Sequence, residues 1–178
     1  MKITISGPIG SGKTTVCNLL SQRLKMECVV SGLIFRQMAK ELDLSLANFG
    51  RLAESDPRYD RQLDERMVQL ALDKKDIILE GRLTAYMLAM NHIEALKVYL
   101  DAPVDVRVAR VTERENKSLE QARTELVERE ECEVKRYLQH YGIDIRDKSV
   151  YDLIIDTGAL NPEQVVQRII DAVGERNG

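Results

Sequence analysis

The residues best suited to chemistry form a glycine-rich segment near the N-terminus, GPIGSGKTT at positions 7–15. It follows a short apolar stretch typical of a strand and precedes a segment with helical apolar spacing. Glycines let such a loop fold its backbone N–H groups around an anion, and the helix N-terminus adds a favourable dipole. A chance match is the alternative, but the strand–helix context argues against it. The predicted nucleotide-binding residues are Gly7, Pro8, Ile9, Gly10, Ser11, Gly12, Lys13, Thr14 and Thr15.

Two residues of this pattern have specific expected roles. Lys13 is placed to bridge the β- and γ-phosphates of a nucleotide. Thr14 is placed to hold Mg²⁺, so Mg²⁺ is the expected cofactor. The segment therefore predicts a phosphate-binding loop that works on a metal–nucleotide complex.

Two arginines follow the ends of predicted strands. Arg82 comes directly after the apolar run ending in Glu80-Gly81, and Arg36 lies one helical turn after the strand CVV. The carboxyl ends of parallel strands meet at one edge of a sheet, so both arginines could bind one phosphate opposite the glycine-rich loop. A structural salt bridge is the alternative for each, for Arg82 with Glu80 or Asp101. Together they favour a second, acceptor phosphate.

The absence of certain motifs argues against two classes of nucleotide-binding protein, the GTPase switches and the motor ATPases. A GTPase switch would carry D-x-x-G after the third strand and N-K-x-D for the base, and the nearest match here is NKSL at 116–119. A motor ATPase would be longer. A kinase for a small phosphorylated acceptor remains the best interpretation. Another acceptor such as AMP, UMP or a small metabolite, and a nucleotide-binding switch without phosphoryl transfer, stay open as alternatives.

The elements predicted along the chain alternate between strands and helices. Strands are expected at KITIS, CVV, DIILEG, LKVYLDAP and YDLIIDTG, with helices between them and a last helix from Asn161-Pro162. Alternation of this kind predicts an α/β fold with a parallel sheet covered on both faces. We expect a single domain, 1–178, with an acceptor-binding insert at about 31–73 and a lid region at about 107–136.

Composition excludes several partners. The net charge is −3, aromatic residues make up 4%, and tryptophan is absent, which argues against binding polymeric nucleic acid. No apolar run is long enough to cross a membrane and no signal peptide is evident, so cytoplasmic localisation is expected. Cys17, Cys28 and Cys132 form no zinc-binding pattern and are interpreted as reduced structural thiols.

Beyond these motifs, the chain resembles the nucleoside monophosphate kinases, most closely the archaeal type of cytidylate kinase. The resemblance rests on the order of several segments: GPIGSGKTT, SGLIFRQMAKE, AESDPRYDRQLDER, LEGRL, LDAPVDVRVARVTERE, EREECEVKRYLQHYGID and YDLIIDTGALNPEQVV. It implies a P-loop three-layer sandwich with strand order 2-3-1-4-5 and helical acceptor-binding and lid inserts. It also implies phosphoryl transfer to CMP or dCMP from ATP, the expected co-substrate, which residues 7–15 would bind. A monomer is expected.

The resemblance further implies roles for individual residues. Arg36 and Arg82 would hold the acceptor phosphate, while Arg110 and Arg114 would lie on the donor phosphates and the loop 156–159 near the adenine. The expected catalytic residues are Lys13, Arg82, Arg110, Arg114, Arg129 and Arg136. The expected substrate-binding residues are Ser31, Arg36, Arg82, Arg129, Glu133 and Arg136.

Two features of these segments qualify the implied roles. Leu33-Ile34-Phe35 stands where adenylate kinases often carry an acid, which disfavours AMP as acceptor. In the lid region, pairs such as Glu125 with Arg129 and Glu131 with Lys135 have the i,i+4 spacing of a solvated helix. A purely structural helix is therefore the alternative for each lid arginine.

Overall fold

The computed structural model describes residues 1–177, and in this part of the chain five strands and eight helices alternate. The strands are β1 (Lys2–Ser6), β2 (Cys28–Val30), β3 (Ile77–Glu80), β4 (Leu96–Asp101) and β5 (Leu153–Asp156). The helices are α1 (Lys13–Leu24), α2 (Ser31–Glu41), α3 (Leu46–Ser55), α4 (Arg58–Asp73), α5 (Thr84–Met90), α6 (Val104–Glu115), α7 (Leu119–Tyr141) and α8 (Pro162–Asn177).

The sheet is parallel throughout, and its order is β2-β3-β1-β4-β5, as predicted. The carboxyl ends of β1, β2 and β3 lie at the same height in the sheet. Glu80 at the end of β3 is paired with Ile5 of β1 on one side and with Val30 of β2 on the other. Consequently the glycine-rich loop after β1, the start of α2 after β2 and Arg82 after β3 leave the sheet at one edge.

Helices cover both faces of the sheet, which makes the predicted three layers. Alternate residues of β3 point to opposite faces, so Ile78 packs with α1 and α8 while Ile77 and Leu79 pack with α4 and α5. These side chains are fully buried, and each contributes roughly 1.5–3 kcal/mol to folding. The core thus fixes the sheet edge on which the functional loops stand.

The longest helix, α7, has clear start and stop residues. Ser118 Oγ accepts a hydrogen bond from Gln121 N at 3.2 Å, and Ser118 N donates to Gln121 Oε1 at 3.3 Å, which is a capping box. Gly142 ends the helix with φ of +68°. Leu126 and Ala122 pack with α6 on Ile9 of the glycine-rich loop, so α7 is held directly over that loop.

The structure corrects two predictions. Helix α5 was not predicted, although its seven residues lie directly after the sequence EGRL. Cys17 and Cys28 were interpreted as reduced thiols, but they form a disulfide between α1 and β2, with their Cα atoms 6.3 Å apart. Cys132 remains free. Within residues 1–177, no helix is long and apolar enough to cross a bilayer.

Candidate active site

The glycine-rich loop between β1 and α1 needs its glycines for steric reasons. Gly10 and Gly12 have φ of +81° and +92°, in the left-handed region that other residues seldom adopt. A Cβ at Gly7 would lie 2.1 Å from Leu100 O, and one at Gly10 would lie 2.7 Å from Arg107 O. The loop is therefore pressed against β4 and α6 while its backbone curls as a phosphate cradle requires.

Lys13 lies at the start of α1 with its side chain folded back over the loop. Its Nζ donates to Pro8 O at 2.9 Å. Burial lowers the pKa of Lys13 to about 8, and Arg82 adds to the fall while Glu80 opposes it. A buried ammonium so close to losing its proton would gain strongly from an anionic ligand.

Thr14 and Glu80 form the part of the site best suited to a metal ion. Thr14 Oγ1 donates to Glu80 Oε2 at 3.1 Å, and Glu80 is buried at the end of β3. A hydroxyl beside a carboxylate supplies the oxygen ligands that Mg²⁺ prefers, directly or through water. Thr14 was predicted in this role and Glu80 was not. The sequence did contain a signal for Glu80, because an acidic residue ends the apolar strand beside the loop.

Arg82 faces the glycine-rich loop from the end of β3. Its Nε donates to Glu133 Oε2 of α7 at 2.6 Å, and Nη1 donates to Gly7 O. Burial alone would lower the pKa of Arg82, but Glu133, Tyr137, Tyr99 and Glu130 together outweigh burial and raise that pKa above its ordinary value. Asp101 instead pairs with Lys148. The structure therefore joins two predicted substrate-binding residues, Arg82 and Glu133, in one partly buried ion pair.

Ser31 lies at the same strand edge as Arg82. A Cβ on Gly81 would lie 2.7 Å from Ser31 Oγ and 2.3 Å from Thr84 Oγ1, so two hydroxyls close tightly around this glycine. Gly81 O also accepts from Ser6 Oγ at 2.7 Å. The start of α2 is thus fixed next to the residue that precedes Arg82.

Arg136 of α7 is buried against α2 and α4. Its Nε lies 3.0 Å from Asp60 Oδ2 of α4, and Nη2 donates to Tyr137 Oη at 3.1 Å. The Phe35 ring of α2 lies 5.8 Å from the guanidinium carbon, within the range of a cation–π contact. Arg136 therefore links α2, α4 and α7.

Arg110 and Arg107 of α6 both contact the glycine-rich loop. Arg110 Nη1 lies 3.3 Å from Gly10 O, and its Nη2 donates to Thr157 O at 2.8 Å, which places it beside the loop 156–159. Arg107, which was not predicted, donates through Nη1 to Ile9 O at 3.1 Å and to Glu130 Oε1 at 2.6 Å. Arg107 thus ties the loop to α7.

Three predicted arginines are exposed, although the charge of Arg114 is close enough to lower the pKa of Lys13. Arg36 is exposed on α2 and lines a cavity of about 330 Å³ between the end of α2 and the start of α3. Arg114 is exposed and pairs with its neighbour Glu115 at 2.6 Å. Arg129 is exposed on α7. The structure does not bring these three side chains onto the glycine-rich loop.

The relationship to known proteins agrees with this geometry. Residues 2–159 match the sequence model of the cytidylate kinase-like family. The chain belongs to this family. A cytidylate kinase of Pyrococcus abyssi is 46% identical over 98% of this chain and 96% of its own length. A cytidylate kinase of Halobacterium salinarum is 44% identical over 97% of this chain and 89% of its own length. Membership makes the protein a nucleoside monophosphate kinase.

Solved structures share the fold at low sequence identity. Shikimate kinase from Aquifex aeolicus superposes with a TM-score of 0.57 at 22% identity, covering 99% of this chain and 98% of its own. Shikimate kinase from Acinetobacter baumannii, in complex with shikimate, superposes with a TM-score of 0.63 at 19% identity, covering 98% of this chain and 93% of its own. At these identities the likeness establishes the P-loop kinase fold alone.

Proposed function

We propose that the protein transfers the γ-phosphoryl group of ATP to CMP or dCMP, giving ADP and CDP or dCDP. The observation that carries the proposal is the placement of Arg82 directly opposite the phosphate-binding loop, in a chain whose full-length relatives are named cytidylate kinases. One anion site on the loop and a second at Arg82 are what a kinase with a phosphorylated acceptor requires.

On the donor side, ATP would lie along residues 7–15. Backbone N–H groups of the loop and the α1 N-terminus would bind its phosphates, and Lys13 would exchange its contact with Pro8 O for phosphate oxygens. Ser11 Oγ is a buried hydroxyl that lacks a hydrogen-bond partner among the described residues, which suits a further contact in the loaded loop. Arg110 would support the loop beside 156–159, the segment proposed to lie near the adenine.

The Mg²⁺ that accompanies ATP would be held by Thr14, with Glu80 behind it. When bound, Mg²⁺ would neutralise charge on the β- and γ-phosphates. Thr14 Oγ1 would then act as a ligand, and the Glu80 carboxylate would accept hydrogen bonds from the surrounding groups and keep the site electrically balanced.

On the acceptor side, Arg82 would bind the phosphate of CMP with Ser31 beside it. The Glu133 carboxylate pairs with the guanidinium of Arg82 in this structure, so an incoming phosphate would displace it. Glu133 could then accept a hydrogen bond from the sugar of the acceptor. Arg136 would lie further along the nucleotide. Arg36, exposed in this conformation, would reach the phosphate only when the insert at about 31–73 closes.

The chemistry that remains is alignment and charge neutralisation. The acceptor is a phosphate that is ionised near pH 7, so the transfer needs no strong general base. Lys13 would gather charge on the donor side while Arg82 directs the attacking oxygen. The lid at about 107–136 carries Arg114 and Arg129, which would approach the transferring group on closure and exclude water.

The decisive test is an ADP-release assay with ATP and Mg²⁺, giving CMP, dCMP, UMP, AMP and GMP one at a time. Preference for CMP and dCMP is the expected result. Faster turnover of AMP would contradict the cytidylate assignment while leaving the kinase class intact. Absence of acceptor-dependent ADP with every nucleotide would favour a nucleotide-binding switch or a non-nucleotide acceptor.

A further inference from the structure

Arg110 of α6 is a partly buried arginine whose guanidinium is held by uncharged oxygens. Its Nη1 lies 3.3 Å from Gly10 O and donates to Thr157 Oγ1 at 3.0 Å, while Nη2 donates to Thr157 O at 2.8 Å. Arg107 and Arg114 of the same helix each pair with a glutamate, whereas Arg110 takes part in no ion pair within the described part of the chain. Its positive charge is therefore not neutralised by a neighbouring carboxylate.

The guanidinium of Arg110 lies beside the phosphate-binding loop. Besides the contact with Gly10 O, a Cβ built on Gly12 would lie 4.0 Å from Arg110 Nη1, so the charge lies close to the turn that leads into α1. Phosphate oxygens bound in this turn would meet an arginine whose charge is available to them. A carboxylate in place of Thr157 would instead have to be displaced by the nucleotide.

Thr157, which directly follows β5, holds the guanidinium at two points. Its hydroxyl accepts from Nη1 of Arg110, and its main-chain carbonyl accepts from Nη2. A planar guanidinium that is bonded through two nitrogens to one residue cannot rotate freely, so the two contacts fix the plane of the group. An arginine has five N–H donors, and the others remain available for a ligand.

Thr157 is itself held firmly in the protein. It is 3% exposed, and its N–H donates to Asp101 O of β4 at 2.8 Å. Its hydroxyl lies 3.0 Å from Ser11 O of the loop and 2.9 Å from Asp101 O. The single hydroxyl proton can be donated to one of these carbonyls while the oxygen accepts from Arg110. The hydroxyl therefore connects the end of β4, the phosphate-binding loop and Arg110.

We propose that Thr157 is a positioning residue for the donor phosphates, whose hydroxyl and carbonyl orient Arg110 toward them without neutralising its charge. This inference rests on the proposed function, because it describes how the donor half of that site is arranged before ATP binds. A guanidinium that is already in place loses little conformational freedom when the ligand arrives. The effect of Thr157 should therefore appear in the affinity for the donor.

The experiment compares Thr157→Val with the wild-type protein by calorimetric titration with ATP and with inorganic tripolyphosphate, each with Mg²⁺. Valine has nearly the shape of threonine but lacks the hydroxyl, so Arg110 loses one of its two contacts with residue 157. The affinity for both probes is expected to fall roughly tenfold, because both carry the phosphates that Arg110 would meet. A loss for ATP alone would mean that Thr157 serves the nucleoside part, and unchanged affinities would mean that the hydroxyl positions nothing. Either result would overturn the inference.

Two further variants separate the loss of the hydroxyl from a general disturbance of the core. Thr157→Ser keeps the hydroxyl and should restore the affinity for both probes. Thr4→Val removes a fully buried hydroxyl of β1 that lacks a hydrogen-bond partner among the described residues, so it should leave both affinities unchanged. A loss in either variant as large as that in Thr157→Val would overturn the specific role of the Thr157 hydroxyl.

A double-mutant cycle shows whether Thr157 acts through Arg110. Thr157→Val should have little further effect in an Arg110→Gln background, because the side chain that it positions is already gone. An undiminished loss in that background would overturn the inference, since the hydroxyl would then act on Ser11 or on the fold.

Arg110→Lys keeps the inference testable if Thr157→Val does not fold. A lysine keeps the positive charge but cannot make the two-point contact with residue 157. The affinity of this variant for both probes should also fall roughly tenfold, and full affinity would overturn the inference.

Steady-state kinetics adds a measurement that a merely structural role would not reproduce. Thr157→Val should raise the KM for ATP and leave the KM for CMP unchanged, because the proposed acceptor site at Arg82 does not include Arg110. Equal rises in both KM values would overturn the inference. The titrations need no acceptor, so they still decide the inference if the wild-type enzyme fails to use CMP, a failure that would contradict the proposed function.

Discussion

At the scale of single residues, Arg82 is the strongest candidate for holding the acceptor. We expect Arg82→Ala to lower kcat/KM for CMP by roughly 10²–10³-fold, because one charged donor to the reacting phosphate is lost. The KM for ATP should change by only a few-fold, since the loop keeps its own glycines and Lys13. Steady-state kinetics with each substrate varied in turn measures both effects.

Arg146→Ala is a suitable control for Arg82, because Arg146 is exposed and pairs with its neighbour Asp144. It should leave both kinetic constants unchanged. A loss of ATP affinity as large as the loss for CMP in Arg82→Ala would mean that Arg82 acts by supporting Gly7 O instead of binding the acceptor.

Lys13 gives a pH prediction. Its pKa of about 8 means that the free enzyme loses the Lys13 charge as the pH rises through 8. Bound phosphates favour the charged form, so the pKa should rise in the complex. We therefore expect kcat/KM for ATP to fall by about tenfold per pH unit above 8, while kcat stays level to a higher pH.

Lys13→Arg is the control for this pH profile, because an arginine keeps its charge throughout the range. Its activity should be lower, but the fall in kcat/KM above pH 8 should disappear. The same fall in Lys13→Arg would assign the ionisation to another group.

Part of the site was predictable at this scale and part was not. The residues of the phosphate-binding loop are contiguous, so their pattern alone gave Lys13 and Thr14. Glu133 lies 51 residues from Arg82 and Asp60 lies 76 from Arg136, and no local pattern indicates which acid meets which arginine. Glu80 and Asp101 were the two salt-bridge partners considered for Arg82, and both were wrong for that reason. Glu80 accepts a hydrogen bond from Thr14, and Asp101 pairs with Lys148.

At the scale of elements, α6 and α7 are joined to the phosphate-binding loop by the buried side chain of Arg107, which pairs with the partly buried Glu130. Arg107 is 7% exposed and bonds Ile9 O, Ala102 O and Glu130. Arg107→Gln would leave the buried carbonyl groups of Ile9 and Ala102 without this donor and the partly buried Glu130 without its partner, so it should lower the free energy of unfolding by roughly 1–3 kcal/mol. The KM for ATP should rise as well, because Ile9 loses its support.

The control for Arg107 joins the same two helices at the surface. Arg123 of α7 pairs with Asp105 of α6, and both side chains are more than half exposed. Arg123→Gln should cost less than about 1 kcal/mol and leave the KM for ATP unchanged. Urea unfolding and ATP kinetics of the two variants make the comparison; equal effects would contradict a special role for the buried pair.

The elements themselves were largely predictable, and the exception has a physical reason. Strands β1 and β3 are apolar runs between glycines and charges, and α7 has a capping serine and a terminal glycine. Helix α5 has seven residues and buries Thr84, Ala85, Met87 and Leu88, so it shows no polar face. A short segment that is buried on most sides carries no helical period for the sequence to display.

At the scale of the whole molecule, the chain packs one sheet between two helical layers, and the disulfide links one of these layers covalently to the sheet. Cys17 is fully buried on α1, and Cys28 begins β2 eleven residues later. Spacing along the chain could not reveal this link, because it depends on how α1 packs on the sheet. The predicted strand order, by contrast, follows from the family resemblance.

The disulfide makes a prediction about the thiol content and stability of the intact protein. Closing a loop of eleven residues should stabilise the fold by about 3 kcal/mol, so reductant should lower the free energy of unfolding by that amount. Titration of thiols in denaturant without reductant should find one per chain, from Cys132, and none in Cys132→Ser. With reductant removed after treatment, three thiols should react in the wild type. Three reactive thiols without any reduction, and no effect of reductant on unfolding, would show that Cys17 and Cys28 are not linked. The contact between α1 and β2 would then be stabilised by packing alone.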